Sequence, residues 1–397
     1  MTRLIDICEF IVDCPHSTAQ DEGSGYPLIR TPNIGKGRFN LDGVHRVSES
    51  VYKKRNLRAI PQDNDLIFAR EAPAGNVAII KNGEKFCLGQ RTVLIRPNSE
   101  YVYPDFLTYF LLAPQQQYEL LGTANGATVA HVNLPTIRNL KINLPPLETQ
   151  HRIADILSAY DDLIENNRKQ IKLLEETAQR LYKEWFVDLR FPGHEHTKIV
   201  DDVPEGWEKC SLGDAIEFDP KIQLTKNRIK QFVPMSALST SSMVLDMSEF
   251  SETMSNSGSK FQNDDTLLAR ITPCLENGKT AFVHGIQSAE GAAGSTEYIV
   301  MRSKRLNPYM VYLHARTNGF RQSAINSMSG SDGRQRVKAD KLQALPYLLP
   351  PTTLVNQFGL FAAPIFKLVF DLNAQTFQAA QARDRLLPKL MSEEVEV

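Results

Sequence analysis

The sequence predicts an α+β protein with two duplicated globular domains and two long helices that pair as an antiparallel coiled coil, related by a pseudo-twofold axis. Three observations predict this fold: an internal repeat, a change to heptad spacing after each Leu-Pro-Pro, and a length of 397 residues, which suits two or three domains. We expect the first globular domain at 1–146, the central helix at 147–192, the second globular domain at 193–350 and the distal helix at 351–397.

The repeat rests on four matches that occur in the same order at a nearly constant offset. The matched pairs are Asp65–Arg70 with Asp265–Arg270, Gly75–Ile80 with Gly278–Val283, Val93–Arg96 with Ile299–Arg302, and Leu144–Pro146 with Leu349–Pro351. Four ordered matches are not chance, and a unit of half the chain is too long for a solenoid repeat. The sequence therefore predicts a duplicated domain.

Each copy combines strand-like and helical patterns. Apolar runs such as 66–69, 77–80 and 92–95 predict strands, and the helix that follows opens at Pro104 in one copy and Pro308 in the other. Proline suits a first helical turn, because the N–H that it lacks would be unpaired there. Each copy is thus predicted to be a mixed α+β globule.

After Leu144–Pro146 the apolar residues recur in steps of four and three, which is the seam of a coiled coil. The predicted seam residues are Ile153, Leu157, Tyr160, Ile164, Asn167, Ile171, Leu174, Leu181 and Trp185. A polar Asn167 in a seam commonly fixes register, and the helix should stop at Arg190–Gly193. The alternative is an amphipathic helix that packs on its own globule.

The distal helix repeats this ladder from Phe358 to Leu390. Pro364 falls early in it and Pro388 late. Because proline cannot donate to the preceding turn, we expect this helix to start later than the first or to kink.

Composition excludes several classes of protein. Lys and Arg number 45 against 46 Asp and Glu, so bulk charge does not favour a protein that binds nucleic acid alone. The 5 cysteines form no C-x-x-C pair, which argues against a zinc ribbon or a disulfide framework. Apolar runs are too short for a membrane span, so we expect a cytoplasmic protein without membrane contact.

Catalytic motifs are missing. His194–His196 lacks the spacing of a zinc protease helix, and no Walker loop, G-x-S-x-G or G-x-G-x-x-G occurs. Asn143–Leu147 only superficially resembles the Asn-Pro-Pro-aromatic loop of amino-methyltransferases, because Leu144 intrudes and no aromatic residue follows. We therefore predict no catalytic residue, no metal site and no cofactor in this chain.

Local basic and polar positions are the candidate DNA contacts, since Arg and Gln can pair with base edges. The alternative for each is a solvated surface charge. The predicted set is Lys36, Arg38, Lys53, Lys54, Arg55, Thr128, His131, Lys226, Arg228, Lys230, Arg334, Gln335 and Arg336. Thr128 and His131 fall in a loop before the last strand of the first copy, and residues 334–336 fall in the equivalent loop of the second.

The chain resembles the specificity subunit of type I restriction-modification systems. Four segments show the resemblance: Leu144–Ala154, Leu181–Phe186, Val203–Trp207 and Leu212–Asp214. The first copy departs from the pattern because it lacks the Pro-Glu-Gly-Trp opening, and Thr352–Phe358 matches it weakly.

The resemblance implies that each globule is a target recognition domain for one half of a split, asymmetric DNA site. It also implies a scaffold for two modification subunits, which bind S-adenosylmethionine, and for restriction subunits, which use ATP and Mg²⁺. Two other classes stay open: an enzyme with an unrecognised site, and a scaffold that binds only proteins.

Overall fold

The computed structural model describes residues 2–122, 131–331, 333–392 and 394–395. They form two compact units, Met1–Glu165 with Phe377–Val397 and Asn166–Thr376. Each unit contains one globule and a part of each long helix. The division therefore falls within the helices, whereas the domain boundaries predicted above fall at their ends.

The first globule is built from short strands and helices. Its strands are Thr2–Arg3 (β1), Cys8–Asp13 (β2), Tyr26–Ile29 (β3), Arg46–Val47 (β4), Leu66–Ala69 (β5), Val77–Ile79 (β6), Cys87–Leu88 (β7), Thr92–Pro97 (β8) and Lys141–Ile142 (β9). Its helices are Glu49–Arg55 (α1), Pro104–Leu112 (α2), Pro114–Gly122 (α3) and Leu134–Asn139 (α4).

Two sheets organise this globule. The larger has the antiparallel order β2-β8-β5-β6, and the smaller has the order β4-β3-β7, in which β3 and β7 are parallel. Strand β5 lies in the middle of the larger sheet and all of its residues are buried, which explains its unbroken apolar sequence. Helix α2 starts at Pro104, as predicted.

The second globule repeats this plan after the central helix, Leu147–Tyr182 (α5). Its strands are Ile199–Val200 (β10), Val203–Pro204 (β11), Glu208–Ser211 (β12), Ile216–Phe218 (β13), Lys230–Val233 (β14), Ser251–Thr253 (β15), Ser259–Phe261 (β16), Thr266–Ala269 (β17), Thr280–Phe282 (β18), Ala292–Gly294 (β19), Tyr298–Ser303 (β20) and Pro346–Leu349 (β21). Its helices are Leu212–Ala215 (α6), Pro308–Ala315 (α7), Asn318–Asn326 (α8) and Ala339–Gln343 (α9), and the distal helix Thr352–Met391 (α10) follows.

The sheets confirm the duplication. The order β13-β20-β17-β18 matches that of the first large sheet, and β14 pairs in parallel with β19 as β3 does with β7. Equivalent ion pairs brace both large sheets, since Arg96 binds Asp65 and Arg302 binds Asp265, each through two nitrogens. The α+β class and the duplicated globules are therefore confirmed.

The two long helices pair in antiparallel fashion, as predicted. In one unit Asp161 of α5 binds Arg383 of α10. In the other unit Asn167 binds Gln375, and the Tyr182 ring packs on Phe358 at a centroid distance of 6.0 Å. Partner numbers thus fall along α10 as they rise along α5.

Two predictions about the helix ends are wrong in detail. Helix α5 ends at Tyr182, and a π-helical turn from Lys183 to Val187 follows, so the helical conformation stops before Arg190. Helix α10 runs without interruption from Thr352 to Met391 through Pro364 and does not start late. Pro364 is exposed, and the apolar residues on either side of it hold the helix by packing.

Helix α10 is long and apolar enough to cross a membrane by length and composition. In this structure Phe358, Phe366 and Val369 pack into the core of one unit. Leu387 and Leu390 pack into the core of the other. A helix whose apolar side is buried in this way packs as a core helix of a globular protein does.

Candidate nucleic-acid interface

An arginine follows the equivalent central strand in each globule, Arg70 after β5 and Arg270 after β17. The carbonyl of Arg70 accepts a hydrogen bond from the Val132 N–H at 3.0 Å, and that of Arg270 accepts one from the Val337 N–H at 2.9 Å. Both late loops selected from the sequence are therefore tied to the same strand end of their globules.

In the first globule a polar cluster fixes the end of this loop. His131 lies with Nδ1 2.6 Å from a Glu71 oxygen and with Nε2 2.8 Å from an Arg70 guanidinium nitrogen. Since a guanidinium only donates, an imidazole with its proton on Nδ1 satisfies both contacts. Arg91 adds an ion pair to Glu71 at 3.1 Å. His131 thus anchors the loop, and Thr128 lies outside the described residues.

In the second globule the equivalent loop is a hairpin. Ser329 and Arg336 exchange backbone hydrogen bonds of 3.0 and 2.9 Å, and the Thr272 N–H donates to the Gln335 carbonyl at 3.1 Å. These bonds leave Arg334 exposed at the turn and Gln335 half-buried. Arg334 is therefore well placed to contact a ligand.

A carboxylate holds the same position of both loops, but a different residue supplies it. Arg336 binds Glu297 with Nε at 2.9 Å and a terminal nitrogen at 2.7 Å. The hydrogen bonds from Arg336 lower the pKa of Glu297. In the first globule Glu71 holds His131, and Arg91 stands where the second globule has Glu297. The two loop ends are thus built alike and carry different chemistry.

The predicted positions Lys36 and Arg38 separate into two roles. Lys36 is exposed. Arg38 donates to Asp162 of helix α5 at 2.7 Å, and its side chain is only 29% exposed. Arg38 therefore joins its loop to the central helix.

The cluster on helix α1 also separates. Lys54 is exposed, and Lys53 pairs with Glu49 at 2.7 Å on the same exposed surface. Arg55 is buried and donates to the Leu88 carbonyl at 2.8 Å. The prediction of a DNA contact at Arg55 is corrected accordingly, because a buried guanidinium that donates to a backbone carbonyl is not accessible to DNA.

The basic cluster predicted in the second globule also separates. Lys226 and Arg228 are exposed, and Arg228 lies 3.6 Å from a Glu290 oxygen. Lys230 is buried and donates to the Thr225 carbonyl at 3.2 Å and to the Asn256 side chain. Lys230 therefore braces strand β14, and its predicted role as a DNA contact is corrected.

The predicted seam residues face inward along α5 and, at Trp185, along the π-helical turn that follows it. Those that are buried are Ile153, Leu157, Ile164, Asn167, Ile171 and Trp185, and those that are half-buried are Tyr160, Leu174 and Leu181. Asn167 donates to the Gln375 side chain at 2.8 Å. Its amide is thus satisfied by a polar residue of the opposite helix.

Sequence reasoning missed one buried contact beside this seam. Asp161 is 4% exposed and accepts hydrogen bonds from the Tyr109 hydroxyl at 2.6 Å and from Arg383 at 2.5 Å. Burial raises the pKa of Tyr109, so the phenol stays protonated and donates. These residues come together only because parts of helices α5 and α10 pack against the first globule, and no pattern in the sequence marked them.

The described residues show neither a metal cluster nor an activated thiol at Cys8 or Cys87. No group of three or more His, Cys, Asp or Glu side chains that could hold a metal occurs within residues 2–122, 131–331, 333–392 and 394–395. Burial raises the pKa of the Cys8 thiol to about 12 and that of Cys87 to about 11, so both are poor nucleophiles at neutral pH.

Comparisons with known proteins agree on one family. Residues 1–176 match the model of the type I restriction modification DNA specificity domain. A specificity subunit of the type I restriction enzyme MjaIX from Methanocaldococcus jannaschii is 26% identical over 371 residues, which cover 89% of this chain and 83% of the relative. The EcoEI specificity subunit of Escherichia coli is 29% identical over 48% of this chain and 33% of its own length.

A solved structure shares the fold. The S subunit of a type I restriction-modification system from M. genitalium superposes with a TM-score of 0.56 at 15% identity, over 98% of this chain and 95% of that one. At this identity the likeness establishes the architecture of duplicated globules and long helices.

Proposed function

We propose that this chain, which matches the specificity subunits of type I restriction-modification systems in sequence and in fold, reads a split, asymmetric DNA sequence and scaffolds the modification and restriction subunits. Relatives that are named as specificity subunits support a role in DNA recognition rather than in catalysis. The split site and the scaffold are the parts that the proposal adds.

One observation supports the split and asymmetric site above all others. Each globule holds a loop against the arginine at the end of its central strand, yet the side chains differ, with His131 and Glu71 in one and Arg336 and Glu297 in the other. Base readout depends on the side chains that reach the groove. Two alike globules with unlike loops should therefore read two different half-sites.

Exposed cations support contact with DNA in spite of the neutral total charge. Lys36, Lys54, Lys226 and Arg334 are exposed on the two globules. Local cations of this kind position a protein on the phosphate backbone, and a few side chains at base edges supply the sequence preference. Partner subunits would supply the remaining phosphate contacts.

The scaffold part of the proposal rests on the helices. Helix α5 of 36 residues and helix α10 of 40 residues each contribute residues to both compact units. In the proposed complex two modification subunits bind S-adenosylmethionine and methylate adenine, and restriction subunits use ATP and Mg²⁺. The complex would act on DNA in the cytoplasm.

Methylation mapping of host DNA, with the gene intact and deleted, tests the proposal. A split, non-palindromic motif that loses its methylation on deletion is expected. A chain in which residues 1–146 are exchanged for those of another specificity subunit should change one half of the motif and leave the other unchanged. Unaltered motifs in both experiments would refute the proposal, and turnover by the isolated chain would point to an enzyme instead.

A further inference from the structure

A closed loop of the second globule lies directly beside the hairpin of Ser329–Arg336. The ends of this loop meet, because the Ala269 N–H donates to the Lys279 carbonyl at 3.0 Å. One side of the loop is bonded to the hairpin through Thr272 and Gln335. The other side reaches the junction of helices α7 and α8 at Gly278. The same loop therefore contacts both the hairpin and the arginines at Gly278.

Two guanidinium groups converge at Gly278. Arg316 donates to the Gly278 carbonyl at 2.8 Å and to the Thr240 carbonyl at 3.1 Å. Terminal nitrogens of Arg321 and Arg316 lie 2.9 and 3.9 Å from the position that a β-carbon on Gly278 would take. Gly278 also has a φ of +80°, so both its backbone and the space around it require glycine.

Neither arginine has an acidic partner among the residues that the structure describes. The second contact of Arg321 is to the Asn318 amide oxygen at 3.2 Å, which is neutral. Burial raises the pKa of Glu175, and the charge of Arg316 opposes that rise. The Glu175 carboxylate already accepts hydrogen bonds from the Ser242 hydroxyl at 2.6 Å and from the Met243 N–H at 2.8 Å. Two adjacent like charges repel, and an anion between them removes that repulsion.

An unused donor also lies at the start of the same loop. The Nε of Arg270 is buried without an acceptor in the described part of the chain, and so is the Thr272 hydroxyl. In the first globule the equivalent Nε of Arg70 donates to the Val132 carbonyl at 2.9 Å. At this position the unused donor occurs in the second globule and not in the first, and such a group normally finds a partner in a ligand or water.

The first globule has neutral side chains at the equivalent positions. There Gln117 covers Gly75, with its amide nitrogen 2.9 Å from the Gly75 carbonyl and 2.6 Å from that of Leu111. Gln117 stands thirteen residues after Pro104, as Arg321 does after Pro308. The paired cations are thus confined to the second globule.

We propose that Arg316 and Arg321 bind a backbone phosphate of the DNA next to the half-site that the hairpin reads. This inference rests on the proposed function and adds residues to it that the sequence did not select. A phosphodiester oxygen accepts from guanidinium donors in a charge-assisted bond, and a phosphate contact fixes the position of the globule on the duplex without reading sequence. The first globule lacks this contact.

Salt dependence of DNA binding tests the phosphate site. The complex of the full chain with its modification subunits is titrated onto two duplexes, with and without the mapped motif, between about 50 and 200 mM salt. Arg321→Gln places the side chain of the first globule at this position, so folding is expected to be retained. Arg180→Gln, on an 83% exposed side chain of helix α5, is the matched control for charge.

The variant R321Q should reduce the slope of log affinity against log salt by about 0.9, which makes the loss of affinity over that range about threefold to fourfold smaller. The change should be equal on both duplexes. A G278A variant, whose added methyl group displaces Arg321, should show the same reduced slope. Inorganic phosphate added at constant ionic strength should compete with DNA for the wild type more than for R321Q.

Three outcomes would overturn the phosphate site. The first is a slope for R321Q equal to that for R180Q. The second is a loss confined to the duplex with the motif, which would make Arg321 a base-reading residue. The third is competition by phosphate without any change of slope, which would mean a site for free anions only. If the wild type binds both duplexes equally, the proposed function fails, and the slopes of the two variants still decide the phosphate site.

Discussion

Replacing Asp161 with alanine is expected to loosen the contact of both long helices with the first globule. The Asp161 carboxylate is 4% exposed and accepts from Tyr109 and from Arg383, so one residue of α5 binds the globule and helix α10 together. The side chain of Arg383 is only 15% exposed. Removal of the carboxylate would leave a buried guanidinium and a buried phenol without their acceptor.

The size of this effect follows from burial. Breaking a buried ion pair by removal of one partner costs about 3–5 kcal/mol. Arg383 keeps Asp384 at 2.8 Å, which places the loss towards the lower end of that range. The adjacent Asp162 is the matched control, because its side chain is 68% exposed and its pair with Arg38 is a surface ion pair. Its replacement with alanine should cost about 0–1 kcal/mol.

Hydrogen exchange measured by mass spectrometry separates the two variants better than one melting curve, since a chain with two compact units need not unfold in a single step. In D161A the amides of α2 and of the Phe377–Met391 part of α10 should exchange faster, whereas those of the second globule should be unchanged. In D162A both sets should resemble the wild type. Equal exchange in the two variants would refute the reasoning, and so would a loss of protection confined to α5.

Three further predictions concern the hairpin and the helices. Arg334→Ala should reduce specific DNA binding by about 1–3 kcal/mol if Arg334 reads a base. An unchanged ratio of specific to non-specific binding would remove Arg334 from the interface. Arg336→Ala should instead loosen the hairpin. Because the pKa of Glu297 is lowered, its carboxylate stabilises the fold above the ordinary glutamate pKa, and this stability is lost as the pH falls through the lowered value. Hydrogen exchange of the Ser329 and Arg336 amides, corrected for intrinsic rate, should therefore rise on acidification in the wild type. In E297Q it should stay level. One heptad inserted into both helices, beside Asn167 and Gln375, should lengthen the helix pair by about 10 Å. The gap in the methylated motif should then widen by about 3 base pairs. An unchanged gap would show that the helices do not set the spacing of the two half-sites.

The sequence predicted the duplication and its elements well, because these depend on local order. The Asp-x-x-x-Ala-Arg runs mark strands β5 and β17, and Pro104 and Pro308 open the helices that follow. Steps of four and three identified the inward side of α5, where Asn167 faces Gln375. Spacing along a strand or helix directly decides which side is apolar, so these features need no knowledge of the fold.

The interface was only partly predictable, because a basic residue has the same letter whether it is exposed or buried. Arg55 and Lys230 looked like their neighbours Lys54 and Lys226, yet each is enclosed and bound to a backbone carbonyl. Arg316 and Arg321 carried no signal at all, since their meeting point at Gly278 lies far away in sequence.

By itself the sequence determined that this chain is a duplicated α+β protein with two long helices, because apolar periodicity and repeated motifs are properties of the linear chain. Tertiary structure alone decided that Pro364 stays within helix α10, that Asp161 joins Tyr109 to Arg383, and that Glu297 holds Arg336. Each of these depends on contacts between distant segments, and the free energy of a buried or paired group depends on its surroundings rather than on its neighbours in sequence.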